Sequence, residues 1–319
     1  MIRSSLIKKS YLLLTVLSVF ALSIMIEPYY IYGDQVHYHR VYNGLNGFNI
    51  ADAYIFYKAN IDSREPGYFF LAWASSNLSI EKNYFIAFFN VLLSFFAYKY
   101  LIKKGGHPFI VFVIISFGYY SYVLFFAAER LKFSFIFLLI GLVYSKKSSI
   151  FYILSLITHS QMAIVFVSAF MLKIKTDILR LFTKLIVTKS FLLLLIGVSS
   201  ISVVVFISMQ EHFLSKFDSY FELRNIIELS KLFSFFALSY LYAKNRSDVV
   251  IFFIPLFFFT LIFGGERVNF IGYFAFLYFS IYYKKGFNFG VLLTTVYFLY
   301  TGFDFVLNIL KYGSGYYGT

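Results

Sequence analysis

An all-α, polytopic membrane fold is what this chain predicts, on three observations. The 319 residues are 60% hydrophobic and only 13% charged, with a mean hydropathy of +0.76, outside the range of soluble globular domains. Apolar runs free of Asp, Glu, Lys and Arg recur along the chain. The basic residues gather between those runs, as the positive-inside rule requires of cytoplasmic loops. The expectation is one integral membrane domain over 1–319 with an outer-face loop at 27–65. It has about nine spans, a dipping segment at 66–80 and a broken half-helix pair at 148–172.

The first run, 11–26, follows Arg3, Lys8 and Lys9, and no small-x-small cleavage site follows Ala21 to Ile26, so it reads as an uncleaved span. A long polar stretch then runs from Glu27 to Tyr68. Segment 66–80 carries Trp73, Ser75, Ser76 and Asn77, a composition poor for lipid contact and suited to packing inside protein. An odd number of crossings is needed before Lys99, so 66–80 dips into the membrane or lies along it and 83–102 spans. Runs at 108–128 and 133–145 follow. Between Lys147 and Lys173 the number of crossings must be even, which makes 148–172 two half-helices meeting at Thr158-His159-Ser160-Gln161. The alternative is one span with a buried histidine. Runs at 190–210, 232–243, 249–265, 268–283 and 286–303 complete the set, the shorter ones needing flanking aromatics and snorkelling Lys or Arg.

Six clusters mark the loops on one side: Arg3/Lys8/Lys9, Lys99/Lys103/Lys104, Lys146/Lys147, Lys173/Lys175/Arg180/Lys184/Lys189, Lys244/Arg246 and Lys284/Lys285. Together they hold more than half of the 28 basic residues. The net charge of +13 is therefore loop charge, and nucleic acid is not an expected partner. Zero cysteines exclude disulfides, thiolate metal sites and cysteine nucleophiles.

Two echoing turns carry the sharpest chemistry, Glu129-Arg130 and Glu266-Arg267, each opening a helix. Arginine there sets positive charge against the positive end of the helix dipole, so it reads as half of an anion site. A phosphate or diphosphate would rest on the helix N-terminus and take forked hydrogen bonds from Arg130 or Arg267. The plainer alternative is a Glu-Arg ion pair closing a tight turn. His159, flanked by Thr158, Ser160 and Gln161, titrates where it can take a proton from a hydroxyl; the plainer reading is a hydrogen-bonded core histidine. No Gly-x-Ser-x-Gly elbow surrounds Ser160, so a serine nucleophile is not supported.

Asp34, Tyr38 and Tyr42 are spaced to share one helix face, a carboxylate with phenols that suits sugar hydroxyls and rings. An interfacial aromatic belt accounts equally for many of the 29 Tyr and 45 Phe. His37 and His39 lack a further acidic ligand at recognisable spacing, so no metal is expected. In Arg64-Glu65-Pro66-Gly67-Tyr68, Pro66 suits the first turn of a helix and Glu65 its positive end.

Gly33-Asp34 with downstream tyrosines, Glu65-Pro66-Gly67-Tyr68, an apolar span ending in Glu129-Arg130, a helix ending in His159-Ser160 and the late Arg267 together resemble the EpsG-like group of Wzy-type polysaccharide repeat-unit polymerases. The chain departs from that pattern in carrying Tyr32-Gly33, not an arginine, ahead of Asp34. The resemblance implies an inner-membrane glycosyltransferase that joins oligosaccharides carried on undecaprenyl diphosphate into O-antigen, capsule or exopolysaccharide. It would act at the periplasmic or outer face, with no metal or other cofactor and with a chain-length regulator as a protein partner. Arg130 and Arg267, with Arg64, would hold the diphosphate, and Asp34, Glu65 or His159 would activate the acceptor hydroxyl. Tyr38 and Tyr42 would bind sugar. The competing classes are a transporter or flippase of lipid-linked sugars and a membrane O-acyltransferase acting on the same polysaccharide.

Overall fold

Pro66 and Pro108 open helices, and Gly118 and Gly313 end them, so these residues punctuate the apolar runs. A computed structural model describes residues 2–61, 65–144, 148–184, 192, 224–263 and 265–316; over these the chain is helical, with no strand. The helices form two compact units, 1–162 with 281–319, and 163–280.

In the first unit, α1 (Ile2–Ile26) and α5 (Lys82–Lys103) pack antiparallel. Near one end the Tyr98 hydroxyl donates to the Lys8 carbonyl at 2.9 Å, and near the other the Lys82 ammonium meets Glu27 Oε1 at 3.3 Å. Between these elements run α2 (Asp34–Gly44), α3 (Ile50–Ile61) and α4 (Pro66–Asn77). Pro108 opens α6 (Pro108–Phe117), which breaks at Gly118. The following helical stretch, α7 (Tyr119–Tyr122) and a π-turn (Val123–Ala127), leaves at 52°. Next come α8 (Glu129–Val143), α9 (Ser148–Thr158) and the start of α10 (Met162–Lys173). The unit closes with α15 (Phe289–Tyr312), capped by the Asn288 side chain and stopped by Gly313 in the left-handed conformation. The Gly313 carbonyl accepts from Ile31 and Tyr32 N–H, so the last helix ends where the first one exits.

The two ends of this unit differ in chemistry. Lys103 donates to the carbonyls of Leu142 and Val143, and the His107 N–H to the Lys285 carbonyl. With the Tyr98–Lys8 bond, these contacts collect three basic clusters and the C-terminus of α8 at one end. Glu27, Lys82 and Glu129 meet at the other. Segment 66–82 returns to the end it left: Tyr68 in the first turn of α4 and Lys82 at the start of α5 both reach the Glu129 carboxylate, at 2.8 Å each. At 12 residues α4 is about 18 Å long, too short to cross a bilayer.

The nine-span expectation needs correction. Among the described residues three helices are long and apolar enough to cross a membrane, Ser5–Tyr29, Lys82–Lys103 and Tyr283–Tyr312, or up to four if the bent pair 108–117 and 119–127 is one span. The reason is local: several apolar runs are cut short. Gly118 breaks one, α8 ends after 15 residues, and the polar residues 159–161 separate two helices of 11 and 12 residues. Run 190–210 lies outside the described residues, except for residue 192.

The second unit contains the rest of α10 with α11 (Lys175–Lys184), α12 (Arg224–Tyr242), α13 (Arg246–Phe263) and α14 (Gly265–Ser280). Lys175 pairs with Asp248 at 2.7 Å, drawing together the two basic clusters of this unit. Asn269 donates to the backbone and carboxylate of the buried Glu228, tying α14 to α12.

Gly67 is where α4 touches α9. A β-carbon there would collide with the Thr158 side chain and backbone. Gly67→Ala is therefore expected to lower stability by about 1–3 kcal/mol, read from denaturant unfolding in detergent.

Candidate functional site

Glu65 is the hub. Pro66 fixes the first turn of α4 and leaves Glu65 as its N-cap in extended conformation, so the carboxylate projects from the helix start. Oε1 accepts from His159 Nδ1 at 2.7 Å, from the Ser160 N–H at 3.0 Å and from the Ser160 hydroxyl at 3.2 Å. Oε2 accepts from Arg130 Nη1 at 3.0 Å. Arg130 Nε in turn donates to the Tyr38 hydroxyl at 3.2 Å. Five residues from four separate segments thus meet in one cluster within the first unit.

Each partner is placed by a local rule. The helix break after Thr158 frees the Ser160 N–H, and the carboxylate collects it. His159 N–H bonds back to the Ser155 carbonyl, so the histidine is the last helical turn of α9 with its ring turned to Glu65. An ionised carboxylate only accepts, so Nδ1 carries a proton; Nε2 lies 3.1 Å from Gln161 Oε1, an acceptor, so it bonds there as the imidazolium or, as the neutral ring, with the amide turned to present its nitrogen. A carboxylate on Nδ1 fixes the tautomer and orients Nε2, the arrangement that makes histidine a base.

The Glu129-Arg130 turn divides its charges. Arg130 does not pair with its neighbour: Glu129 faces a separate buried cluster, and Arg130 reaches Glu65 instead. The anion that accompanies an arginine at this helix start is thus a side chain 65 positions earlier in the chain. Of the side chains of Arg130, Glu65 and His159, Arg130 is the most exposed, at 21% against 14% and 8%, so it is the one an incoming anion meets first.

Burial alone would raise the Glu65 carboxyl. The hydrogen bond and charge of His159, the charge of Arg130 and the Ser160 N–H outweigh it and hold the group at about 2, below its ordinary 4.5. A depressed folded-state value means that the stabilisation is complete above pH 4.5 and is lost as pH falls through 2. Glu65→Gln is expected to remove about 2 kcal/mol at neutral pH and to flatten the acid limb of stability, measured by denaturant unfolding across that range.

The other expected site residues fall elsewhere. Asp34 is exposed in the first turn of α2. Tyr42 is buried, its hydroxyl on the Ile80 carbonyl and its ring on Phe85, so it serves the packing of α2 and not the Glu65 cluster. Arg267 is exposed on α14 of the second unit. Arg64 lies outside the described residues.

Sequence reasoning missed a second, fully buried cluster beside the first. Lys82 Nζ contacts Glu129 Oε1 at 2.8 Å, Gln35 Oε1 at 2.7 Å and Glu27 Oε1 at 3.3 Å. Tyr68 donates to Glu129 Oε2 at 2.8 Å. The π-turn before α8 supplies two acceptors, the Phe126 carbonyl to Gln35 at 2.6 Å and the Phe125 carbonyl to Lys132 at 2.7 Å. Part of the signal was local: Glu129 and Lys132 share a helix face at i, i+3.

No family model, no curated protein and no solved structure matches this chain.

Proposed function

We propose that this protein is a membrane glycosyltransferase that polymerises oligosaccharide units carried on undecaprenyl diphosphate, working at the outer face of a bacterial inner membrane. The observation that carries the reading is the single carboxylate of Glu65, which joins a histidine base to an arginine at a helix N-terminus. The motif resemblance supplies the substrate class.

In this scheme His159 Nε2 takes the proton of the acceptor hydroxyl, while Glu65 holds Nδ1–H and stabilises the imidazolium that forms. The acceptor oxygen bonds to the anomeric carbon. The bond from that carbon to the diphosphate oxygen breaks, and the electron pair leaves with the diphosphate. Charge builds beside Arg130, where a fixed guanidinium stabilises it most. Gln161 occupies the place of the acceptor hydroxyl on Nε2 and is displaced by it. Asp34 would bind sugar near the start of α2.

The positive-inside rule orients the scheme: the end of the first unit bearing Lys8, Lys103 and Lys285 is cytoplasmic, and the Glu65 cluster opens on the other side. A reporter fused after Lys104 is expected to score cytoplasmic; an external score overturns the orientation. That side also argues against an O-acyltransferase, whose histidine would meet a cytoplasmic acyl donor. The buried Glu27–Lys82–Glu129 network favours an ion-coupled carrier as the second reading, since buried ionisable groups in membrane proteins often mark transport paths.

Deleting the gene and examining surface glycan separates the readings. A polymerase leaves single repeat units on the lipid core and no long chains. Loss of every repeat unit indicates the carrier, and loss of acyl groups alone indicates the acyltransferase.

A further inference from the structure

The buried cluster and the Glu65 cluster are linked member by member. Glu129 precedes Arg130 directly. Tyr68 lies three residues after Glu65 on the same helix start, and Gln35 lies three residues before Tyr38 on α2. His159 and Ser160 have no neighbour of this kind, and both are held by Glu65 itself. Glu27, Gln35, Glu129 and Lys132 are 0% exposed and Lys82 is 4% exposed. Burying two acids and two ammonium groups is poor strategy for stability alone, because well-packed apolar side chains of equal size do as well or better. What the charges provide is direction: each bond has one geometry, and together they fix the ends of α1, α2, α4, α5 and α8 relative to one another.

The π-turn adds to this. Its wide ring leaves the Phe125 and Phe126 carbonyls available to side chains, and Lys132 and Gln35 take them. The rotation of α8 is thereby set at its first turn, so Glu129 points inward while Arg130, one residue on, points to Glu65. Tyr68 also touches the site through its ring, which meets Tyr38 edge-on at 5.6 Å between centroids, and Tyr38 carries the hydroxyl that accepts from Arg130.

We infer that Tyr68, Glu129, Lys82 and Gln35 are positioning residues, whose buried network holds Arg130, Glu65 and Tyr38 in working register. The inference rests on the proposed reaction only where turnover is measured; the geometry it predicts can be read without any substrate.

The test uses the full chain in detergent or nanodiscs with ¹³C-carboxyl-labelled glutamate, the Glu65 resonance being assigned by its loss in Glu65→Gln. In the wild type this carboxyl titrates near 2. Tyr68→Phe removes one hydroxyl and keeps the ring. It is expected to let Arg130 drift from Glu65, so that Glu65 titrates about one pH unit higher. Polymer formation should fall roughly tenfold or more, the scale of a misplaced reacting group. Glu129→Gln, which keeps an oxygen for Tyr68 and loses the charge for Lys82, should shift Glu65 the same way. Phe133→Leu, in the same core and 5.5 Å from the Tyr68 ring, is the control: it lowers the unfolding temperature and leaves Glu65 where it was. An unchanged Glu65 titration in both polar variants overturns the inference whatever the polymer yield, and so does an equal shift in Phe133→Leu. A wild type with no polymerising activity defeats only the functional reading, because the titration still decides the positioning.

Discussion

Lys82→Met is expected to destabilise the protein by about 3–5 kcal/mol, enough to leave little folded chain in the membrane. Lys82 is the cation shared by two carboxylates, Glu27 and Glu129, both fully buried. Removing it leaves two anions and only Lys132 to balance them, and Lys132 is committed to the Phe125 carbonyl. Methionine restores the volume but none of the charge. The double variant Lys82→Met/Glu27→Gln should recover most of the loss, because it leaves one buried acid, Glu129, balanced by one buried cation, Lys132, at i, i+3 on the same helix. Folded yield from size-exclusion chromatography and unfolding in denaturant measure both. Equal instability of the single and double variants would mean that lost packing, not stranded charge, is the cause.

Arg130→Ala is expected to lower polymerisation by about 10²–10³-fold while the protein stays inserted, the scale of losing one donor aimed at developing negative charge. Glu65 keeps His159 and Ser160, so the cluster survives with its cation gone. Arg130→Lys should rescue only part of the activity, since a lysine cannot both hold Tyr38 through one nitrogen and reach Glu65 through another. Long-chain glycan of normal length from Arg130→Ala, in cells lacking the native gene, would show that this arginine is structural.

Some of this was legible in the residues. Glu65, Arg130 and His159 were each identified by a local oddity, a charge at a helix start or a polar break in an apolar run, and Tyr38 by its helical spacing from Asp34; the structure brings these four together. Periodicity put Tyr42 on the same face as Tyr38, and it shares the burial but not the contact, because one turn along α2 the face has moved under Ile80. The helical class followed from composition. The number of spans did not, since an apolar run records burial and does not distinguish a crossing from a half-length helix packed inside protein. Lys82 and Glu27 escaped because their meaning lies in pairing across 55 residues, which no local pattern encodes.

That separation also has a consequence in time. At roughly 5–20 residues per second of synthesis, about 3–11 seconds pass between the addition of Glu27 and that of Lys82, and the first helix must wait in the membrane with an acid lacking its partner. Glu27 lies at the very end of that helix, where headgroup water can hold it until α5 arrives. The same order makes Glu65 wait longer, for a histidine 94 residues downstream. Assembly of the reactive cluster is thus a late event in biogenesis, and a chain truncated before α9 would present inserted helices with an acid still seeking its base.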